Sequence, residues 1–293
     1  MKLNQFMKEY AEVIERNLEL LYSKDSGLPI IQDAIMYSLL GKGKRLRPLL
    51  TLMACQLFDG DLEEAMPYAC CIELIHTYSL IHDDLPVMDN DDYRRGKLSN
   101  HKVYGEGFAL LAGDGLLNNA YEILIESIIA KPTPARLRAA SIISKAAGTS
   151  GMIGGQAIDL YYEDREINID KLEEMHSKKT GALIRASLEA GAVISKANEE
   201  DVGRVKIYGE YIGKAFQISD DILDVIGTKE KMGKTIGKDA KKNKSTYVTY
   251  YGLEKSQEFL SQTVRNAKKI LEIYGSKASL LIELADFIAC RDA

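Results

Sequence analysis

Two clusters of aspartates are the residues best suited to chemistry in this sequence. The first cluster has five carboxylates within ten residues: Asp83, Asp84, Asp89, Asp91 and Asp92. Pro86 disfavours helical backbone at Leu85, so the apolar helix before the cluster should end or bend there. Carboxylates at a helix C-terminus face the negative end of the helix dipole and repel one another. A bound multivalent cation would offset both effects.

The second cluster consists of Asp220, Asp221 and Asp224 within an apolar stretch. Asp220 and Asp224 are four residues apart, so a helix places them on one face. Buried carboxylates without partners are costly, which favours a metal or a cationic side chain beside them. Carboxylate oxygens suit magnesium, which binds through one or two carboxylates together with substrate phosphates. One such cluster could be a solvated helix end, but two on apolar helices indicate a metal site.

Basic residues follow each aspartate cluster and are the expected partners of a phosphorylated ligand. They form four groups: Lys44 to Arg47, Arg94 and Arg95, Lys178 and Lys179, and seven lysines between 229 and 244. Arginine grips phosphate oxygens with two parallel hydrogen bonds, and glycines around Lys44 permit close backbone approach. Each group alone is typical of a solvated surface. The repeated order of acidic and then basic residues favours a magnesium-bound diphosphate, with 229–244 as a flap over it.

The histidines offer a weaker alternative. His82 directly precedes Asp83, which is reminiscent of phosphohydrolases that bind metals with His and Asp. The chain has only four histidines, and His/Asp neighbours recur on many unrelated folds. A core or hydrogen-bonding role for His82 is therefore the simpler hypothesis.

Composition excludes several classes of protein. The chain of 293 residues has 46% hydrophobic and 28% charged residues and a net charge of −5, so no overall basic field attracts nucleic acid. No apolar run reaches the 18 residues of a membrane span. The cysteines lack the spacing of metal or disulfide motifs and are typical of reduced core residues: Cys55, Cys70, Cys71 and Cys290. We expect a soluble, cytoplasmic protein.

Helical periodicity dominates, and alternating strand patterns are hard to find. The pattern predicts helices near 3–23, 30–40, 48–58, 62–84, 107–130, 134–147, 149–163, 170–195, 199–226, 254–274 and 277–289. All six prolines lie at or before position 134, and no flexible Gly/Ser linker divides the chain. We therefore predict an all-α fold in a single domain over residues 1–293.

Five segments together closely resemble the trans-isoprenyl diphosphate synthases of the polyprenyl synthetase family, especially the bacterial farnesyl diphosphate synthase type. They are GKRLRP, HTYSLIHDDLPVMDNDDYRRGK, GGQAID, KKTGALI and FQISDDILDVIG. The resemblance covers nearly the whole chain, and its two aspartate motifs occur in the order typical of the family. It implies a helical bundle of the isoprenoid synthase type around a deep central cavity, and it implies a homodimer, for which the apolar 107–130 helix could form the interface.

The resemblance also implies a role for each matching position. Three magnesium ions per active site would be held by Asp83, Asp84, Asp89, Asp220 and Asp224. The allylic diphosphate would be contacted by Arg94, Lys179, Gln217 and Lys234, although the flap register leaves open which lysine does so. The isopentenyl diphosphate site would consist of Lys44, Arg47, His76 and Arg95. The catalytic residues around the developing allylic cation would be Lys179, Thr180 and Gln217.

The implied reaction condenses isopentenyl diphosphate with dimethylallyl and then geranyl diphosphate by ionisation, condensation and elimination. Tyr78 and Ser79, five and four residues before Asp83, would form the floor of the tail pocket and stop growth at farnesyl diphosphate. Geranyl and geranylgeranyl products remain open alternatives. A terpene cyclase would not need an isopentenyl diphosphate site, and a regulatory subunit would be expected to lose part of an aspartate motif.

Overall fold

Helices form almost all of the secondary structure. The computed structural model describes residues 2–22, 28–163, 165–226 and 245–290. The α-helices in that part of the chain are α1 (Leu3–Leu21), α2 (Pro29–Leu39), α3 (Leu46–Leu57), α4 (Leu62–Asp83), α5 (Asn100–Tyr104), α6 (Glu106–Ala130), α7 (Pro134–Ala147), α8 (Met152–Tyr161), α9 (Ile169–His176), α10 (Ala182–Ile194), α11 (Glu199–Ile226), α12 (Tyr247–Tyr251), α13 (Leu253–Leu271) and α14 (Ser279–Cys290). This architecture confirms the predicted all-α fold.

The centre of the bundle is formed by α10, which buries eleven of its thirteen residues. A helix that is apolar on nearly every side belongs in the interior, because no face of it gains from contact with water. It packs against α3, α7 and α11, so it joins elements from both halves of the chain. One hydrophobic core extends from Leu3 to Ile288, as the predicted single domain requires.

The helix that leads to the first aspartate cluster has clear start and stop signals. At the start of α4, the carboxylate of Asp61 accepts a hydrogen bond from the backbone N–H of Glu63 at 2.9 Å. The helix ends at Asp83, three residues before Pro86. The proline therefore ends α4 as predicted, and Asp83 and Asp84 lie at its C-terminus.

Three local features were not predicted. A short antiparallel hairpin pairs Tyr93–Arg94 with Lys97–Leu98, and its two turn residues have positive φ angles (Arg95 53°, Gly96 78°). Two-residue strands are too short to show alternation, although positive φ at both turn positions is the signature of a type I′ hairpin. A π-helical segment, Ser177–Gly181, separates α9 from α10 within the predicted 170–195 helix. A 3₁₀ segment, Glu272–Ala278, precedes α14.

The outer face of α6 carries apolar side chains. Leu111, Ile125 and Ile129 are each more than half exposed. Neither α6 nor any other helix in the described part of the chain is long and apolar enough to cross a membrane.

Candidate active site

The two neighbouring aspartates at the end of α4 have different partners. The carboxylate of Asp83 accepts a hydrogen bond from Gln156 Nε2 at 2.6 Å and lies 3.7 Å from Lys179 Nζ. Asp84 is only 3% exposed, and both of its oxygens are close to Arg94 Nε, at 3.0 and 3.1 Å. Asp83 thus faces α8 and the π-helical segment, while Asp84 forms a buried ion pair with the hairpin.

Burial and neighbouring charges shift the pKa values of both Asp83 and Lys179. Burial raises the pKa of the Asp83 carboxyl, and the nearby Asp89 carboxylate raises it further, while Lys179 and Arg94 oppose both. Burial also acts to lower the pKa of Lys179, but Asp83 and Asp159 outweigh it and the pKa is raised. The lysine therefore carries its positive charge at neutral pH and can hold anionic oxygens in the site.

The π-helical segment positions Lys179 and Thr180. Gly155 of α8 lies so close to the backbone of Lys179 that a Cβ at Gly155 would overlap it. Lys179 Nζ then reaches Asp159, the end of the same GGQAID segment, at 2.6 Å. Single-turn π-helical insertions are frequent at functional sites because they turn side chains out of the regular helical register.

The second aspartate cluster lies on α11, across the site from α8. Thr180 Oγ1 donates a hydrogen bond to Gln217 Oε1 at 3.1 Å, and Gln217 Nε2 lies 3.5 Å from Asp220 Oδ2. Asp221 is 8% exposed, and its carboxylate accepts a hydrogen bond from the backbone N–H of Tyr247 at 2.7 Å. Asp221 thus holds the start of α12, while Asp220 and the half-buried Asp224 lie four residues apart on one face of α11.

Arg47 and His76 form a third, partly buried group of predicted residues. Arg47 Nη1 lies 3.2 Å from His76 Nε2. Burial and the neighbouring arginines hold the pKa of His76 well below 6.5, so its ring is neutral and can accept this hydrogen bond. Burial lowers the pKa of Arg47 to about 10, and the carboxylate of Asp220 is near enough to oppose that shift. The pair of Arg47 and His76 therefore adjoins the second aspartate cluster.

Tyr78 and Ser79 lie one to two turns before Asp83 on α4. The Tyr78 ring contacts the His82 ring edge to face, with centroids 5.6 Å apart. Its hydroxyl is buried and has no hydrogen-bond partner among the described residues. The Ser79 hydroxyl donates to the carbonyl of His76 at 2.8 Å, so its polar atom is bound within its own helix.

Comparison with known proteins identifies the family of this chain. The sequence model described as "Polyprenyl synthetase" matches residues 28–281. The chain belongs to the polyprenyl synthetase family. The resemblance inferred from the sequence motifs is thereby confirmed, and the chain is a prenyltransferase.

Individual members of the polyprenyl synthetase family match over almost the whole chain. The dimethylallyltranstransferase of Fischerella ambigua (strain UTEX 1903) is 46% identical over 291 residues, which cover 99% of this chain and 84% of the relative. The geranylgeranyl diphosphate synthase of Cyanophora paradoxa is 44% identical, covering 98% and 96%. The farnesyl diphosphate synthase of Bacillus subtilis (strain 168) is 42% identical, covering 99% of each.

Solved structures match the fold equally well. The geranyltransferase of Legionella pneumophila has a TM-score of 0.89 and 35% identity, covering 99% of this chain and 97% of that one. An FPP/GFPP synthase from Zymomonas mobilis, in its apo structure, has a TM-score of 0.88 and 37% identity, covering 98% and 99%. These neighbours confirm the predicted isoprenoid synthase fold. The relatives are named for different products, so the family alone does not fix the chain length of the product.

The donor atoms of this polyprenyl synthetase family member fit magnesium. In the part of the chain that the structure describes, no three His, Cys, Asp or Glu side chains form a ready metal cluster. Magnesium does not need one, because it binds through one or two carboxylates together with phosphates and water. Asp83 with Asp89 and Asp220 with Asp224 supply such oxygens from two helix ends.

The site also contains residues to which the sequence interpretation gave no role. Gln156 and Asp159 hold Asp83 and Lys179, respectively, yet GGQAID was used only as a family marker. The sequence signal that could have identified them is the presence of two polar residues, Gln156 and Asp159, shortly after the glycines at the start of a helix. Among the predicted residues, Lys44 is exposed, with its Nζ 5.6 Å from the centre of the Phe287 ring, and Lys234 lies outside the described residues.

Proposed function

We propose that this prenyltransferase is magnesium-dependent and condenses isopentenyl diphosphate with dimethylallyl and geranyl diphosphate to form farnesyl diphosphate. The observation that carries the proposal is the proximity of two unlike subsites. One contains carboxylates with Lys179 and Arg94, and the other contains Arg47 beside the neutral ring of His76. Such a pair fits two diphosphates, one bound through metal and one bound directly.

On the allylic side, the carboxylates of Asp83, Asp89, Asp220 and Asp224 would hold magnesium. When bound, magnesium supplies positive charge that stabilises the leaving diphosphate. Lys179 stays protonated between Asp83 and Asp159 and would donate to the same diphosphate oxygens. Asp84 holds Arg94 in place for the same ligand, and its predicted role as a direct metal ligand stays a prediction.

The allylic C–O bond breaks, and the electron pair leaves with the diphosphate. The hydrogen bond between Thr180 and Gln217 fixes two side-chain oxygens beside the carbon skeleton, where their dipoles would stabilise the allylic cation. The double bond of isopentenyl diphosphate then forms the new C–C bond, and the departed diphosphate takes the proton that is lost. No side-chain nucleophile is required.

On the isopentenyl side, Arg47 is prepared for an anion. Its Nε is buried and has no hydrogen-bond partner within the described residues, although its Nη1 contacts His76. A buried donor without a partner is costly, and a phosphate oxygen would satisfy it. Arg95 and the exposed Lys44 would complete this subsite.

Tyr78 supports a farnesyl product. Its ring is 5% exposed, lies on α4 about a turn and a half before Asp83, and is braced by His82. His82 is in turn held near α6, because its Nε2 lies 3.0 Å from the carbonyl oxygen of Leu110. An aromatic ring held in place by its neighbours would block further elongation of a prenyl tail that grows along α4. The geranylgeranyl diphosphate synthases among the relatives make the longer product the second candidate.

The test is product chromatography with pure protein, isopentenyl diphosphate, magnesium and either dimethylallyl or geranyl diphosphate. Farnesyl diphosphate from both starters, abolished by EDTA and restored by magnesium, is the expected result. A geranylgeranyl product would keep the reaction and reject Tyr78 as the floor. Absence of condensation would contradict the proposal and favour a cyclase or a regulatory subunit.

Two variants isolate the role of the ring. Tyr78→Ala opens the floor and is expected to lengthen the product beyond farnesyl. Tyr78→Phe is the matched control, because it keeps the ring and removes only a hydroxyl that has no partner among the described residues. An unchanged product from Tyr78→Ala would reject the assignment.

We also propose a homodimer that covers the exposed apolar face of α6 at Leu111, Ile125 and Ile129. Exposed apolar side chains that share one face of a helix commonly mark protein interfaces. Analytical ultracentrifugation should give a dimer for the wild type and a monomer for Ile125→Asp/Ile129→Asp. A monomeric wild type would contradict the proposal.

A further inference from the structure

A buried carboxylate lies beside the arginines of the proposed isopentenyl diphosphate subsite. Glu73, only 2% exposed, is one turn before His76 on α4. Its Oε1 accepts a hydrogen bond from Arg45 Nη1 at 2.9 Å, and the Arg45 side chain is fully buried. Fully buried ion pairs are uncommon, because both charges lose their hydration. This pair therefore calls for a reason beyond stability.

Arg45 joins three parts of the chain. Besides Glu73 on α4, its guanidinium contacts Glu15 of α1 at 3.2 Å and the carbonyl of Gly41 at 3.0 Å. The Arg45 backbone is left-handed, with φ 49° and ψ 34°. Side chains other than glycine rarely adopt that conformation, and it persists only where the surroundings enforce it. The guanidinium contacts supply that enforcement at the start of α3.

The same two segments are tied a second time by Arg47 and His76. Arg45 and Arg47 are two residues apart at the start of α3, while Glu73 and His76 are three apart on α4. The two contacts run side by side between the same elements. The inner tie, Arg45 to Glu73, is buried beneath the outer tie that would meet the diphosphate.

Glu73 also compensates charge for the arginines around it. Burial lowers the pKa of both Arg47 and Arg95, and the carboxylate of Glu73 opposes this in each case. Arg95 is itself left-handed, with φ 53°, and its guanidinium lies against Gly43, where a Cβ would come within 2.7 Å of Nη1. The positive charges of Arg45 and Arg94 also act to lower the pKa of Arg95, so the carboxylate of Glu73 offsets repulsion between like charges.

We propose that Glu73 and Arg45 are positioning residues for isopentenyl diphosphate. Glu73 fixes Arg45, and Arg45 fixes the segment 43–47, so that Arg47 and Arg95 face the diphosphate in a preset arrangement. Neither positioning residue touches the substrate. The inference rests on the proposed function, because it names which of the two substrates this pair serves.

The test separates the two substrates by their KM values. Glu73→Gln keeps the size of the side chain and removes its charge, and it is expected to raise the KM for isopentenyl diphosphate about tenfold or more. The KM for geranyl diphosphate should change less than about twofold, because Lys179 and Arg94 are held by other carboxylates. Glu15→Gln is the matched control, since it removes the half-exposed partner of the same arginine.

A double-mutant cycle tests whether the pair acts as a unit. In an Arg45→Met background, Glu73→Gln should add less than about a twofold rise in KM, because the tie is already broken. If either single variant fails to fold, Arg45→Met/Glu73→Leu replaces the pair with apolar side chains, which buried ion pairs often tolerate. This folded double variant should still show the raised KM for isopentenyl diphosphate.

The outcomes distinguish the two claims. A wild type that does not consume isopentenyl diphosphate overturns the proposed function itself. An active wild type with an unchanged isopentenyl diphosphate KM in folded Glu73→Gln, or in the folded apolar double variant, overturns only the positioning role. Equal rises in both KM values would also overturn it, because they would show general damage to the site.

Discussion

The two aspartate clusters share a sequence pattern but are held in different ways. In each, the second aspartate of the pair is the buried one: Asp84 is 3% exposed and Asp221 is 8% exposed. Asp84 is paired with the guanidinium of Arg94, whereas Asp221 accepts a backbone N–H from Tyr247. Neighbouring residues on a helix point about 100° apart, which is consistent with the different partners of the two aspartates in each pair. We therefore expect the more exposed aspartate of each pair to serve the chemistry and the buried one to hold the structure around it.

The difference between the clusters lies in the kind of partner. In the first cluster, removing Arg94 leaves the buried carboxylate of Asp84 without its positively charged partner. In the second cluster, removing the Asp221 carboxylate leaves the backbone N–H of Tyr247 without its acceptor. The first loss should cost more, and each of the following predictions tests that contrast or the division of labour within a pair.

The largest effect is expected from Arg94→Met. It leaves the Asp84 carboxylate buried and unpaired, which should lower the free energy of unfolding by about 3–5 kcal/mol in urea titrations. Lys102→Met is the matched control, because it breaks the exposed ion pair with Asp92 (2.8 Å) and should cost less than about 1 kcal/mol. Equal costs for the two variants would contradict the buried role of Arg94.

The next effect concerns the aspartates that face the site. Asp83→Asn and Asp220→Asn should each lower kcat/KM by about 10²–10³-fold, since charge stabilisation of the leaving group is weakened. Their urea midpoints should stay near that of the wild type, because neither side chain is fully buried and an amide oxygen at position 83 can still accept the hydrogen bond from Gln156. If Asp221→Asn lowers kcat/KM as much as Asp220→Asn does, the proposed division within the second cluster is wrong.

Asp221→Ala should act on stability. It removes a charged acceptor from the Tyr247 N–H and should lower the free energy of unfolding by about 1.5–3 kcal/mol. Asp221→Asn should cost less, because an amide oxygen can still accept. Hydrogen exchange of the Tyr247 amide should become faster in Asp221→Ala and remain slow in Asp224→Ala. A slow amide in Asp221→Ala would rule out the hydrogen bond.

The last predicted effect is a pH dependence of stability carried by one largely buried histidine beside each cluster. His76 lies on α4, and the His176 ring lies 5.7 Å from the Tyr247 ring. Burial lowers the pKa of His176 to about 4 and that of His76 well below 6.5. Below pH 6.5 the unfolded chain therefore binds protons that the folded chain does not, so stability falls as pH falls.

For His176 this loss extends from pH 6.5 to about 4 and amounts to about 1.4 kcal/mol per pH unit. His176→Gln should remove that contribution to the pH dependence of the free energy of unfolding, measured by urea titrations at pH 6 and pH 4.5. His76→Gln should also make the pH dependence shallower, because the pKa of His76 is lowered too. An unchanged slope in both variants would contradict their buried, neutral state.

The sequence predicted regular helices better than the places where they change. The predicted bounds of α7 (134–147) and α11 (199–226) agree with the structure. The predicted 170–195 helix is interrupted by the π-helical segment at 177–181. The prediction missed this segment because one extra residue in a single turn hardly changes the apolar periodicity. The single-domain prediction stays a prediction, supported by the shared core.

The predicted site was incomplete for a similar reason. The contact between Gln156 and Asp83 joins residues 73 apart in sequence, and only folding brings them together. Motif matching identified the aspartates and basic residues because clustered charged side chains indicate metal and phosphate binding directly from the sequence. Gln156, Asp159 and Glu73 have side chains that are ordinary in a helix, and their partners alone reveal what they do.

The hydrogen bond from Tyr247 to Asp221 also bears on how freely this family can vary in length. It joins two residues 26 positions apart, so the ends of the intervening chain are fixed wherever that chain runs. The entropic cost of joining two fixed points in a chain grows only with the logarithm of the number of residues between them, by about 0.6 kcal/mol for each doubling. Insertions and deletions between these two anchors should therefore be tolerated during evolution while the flanking helices keep their register.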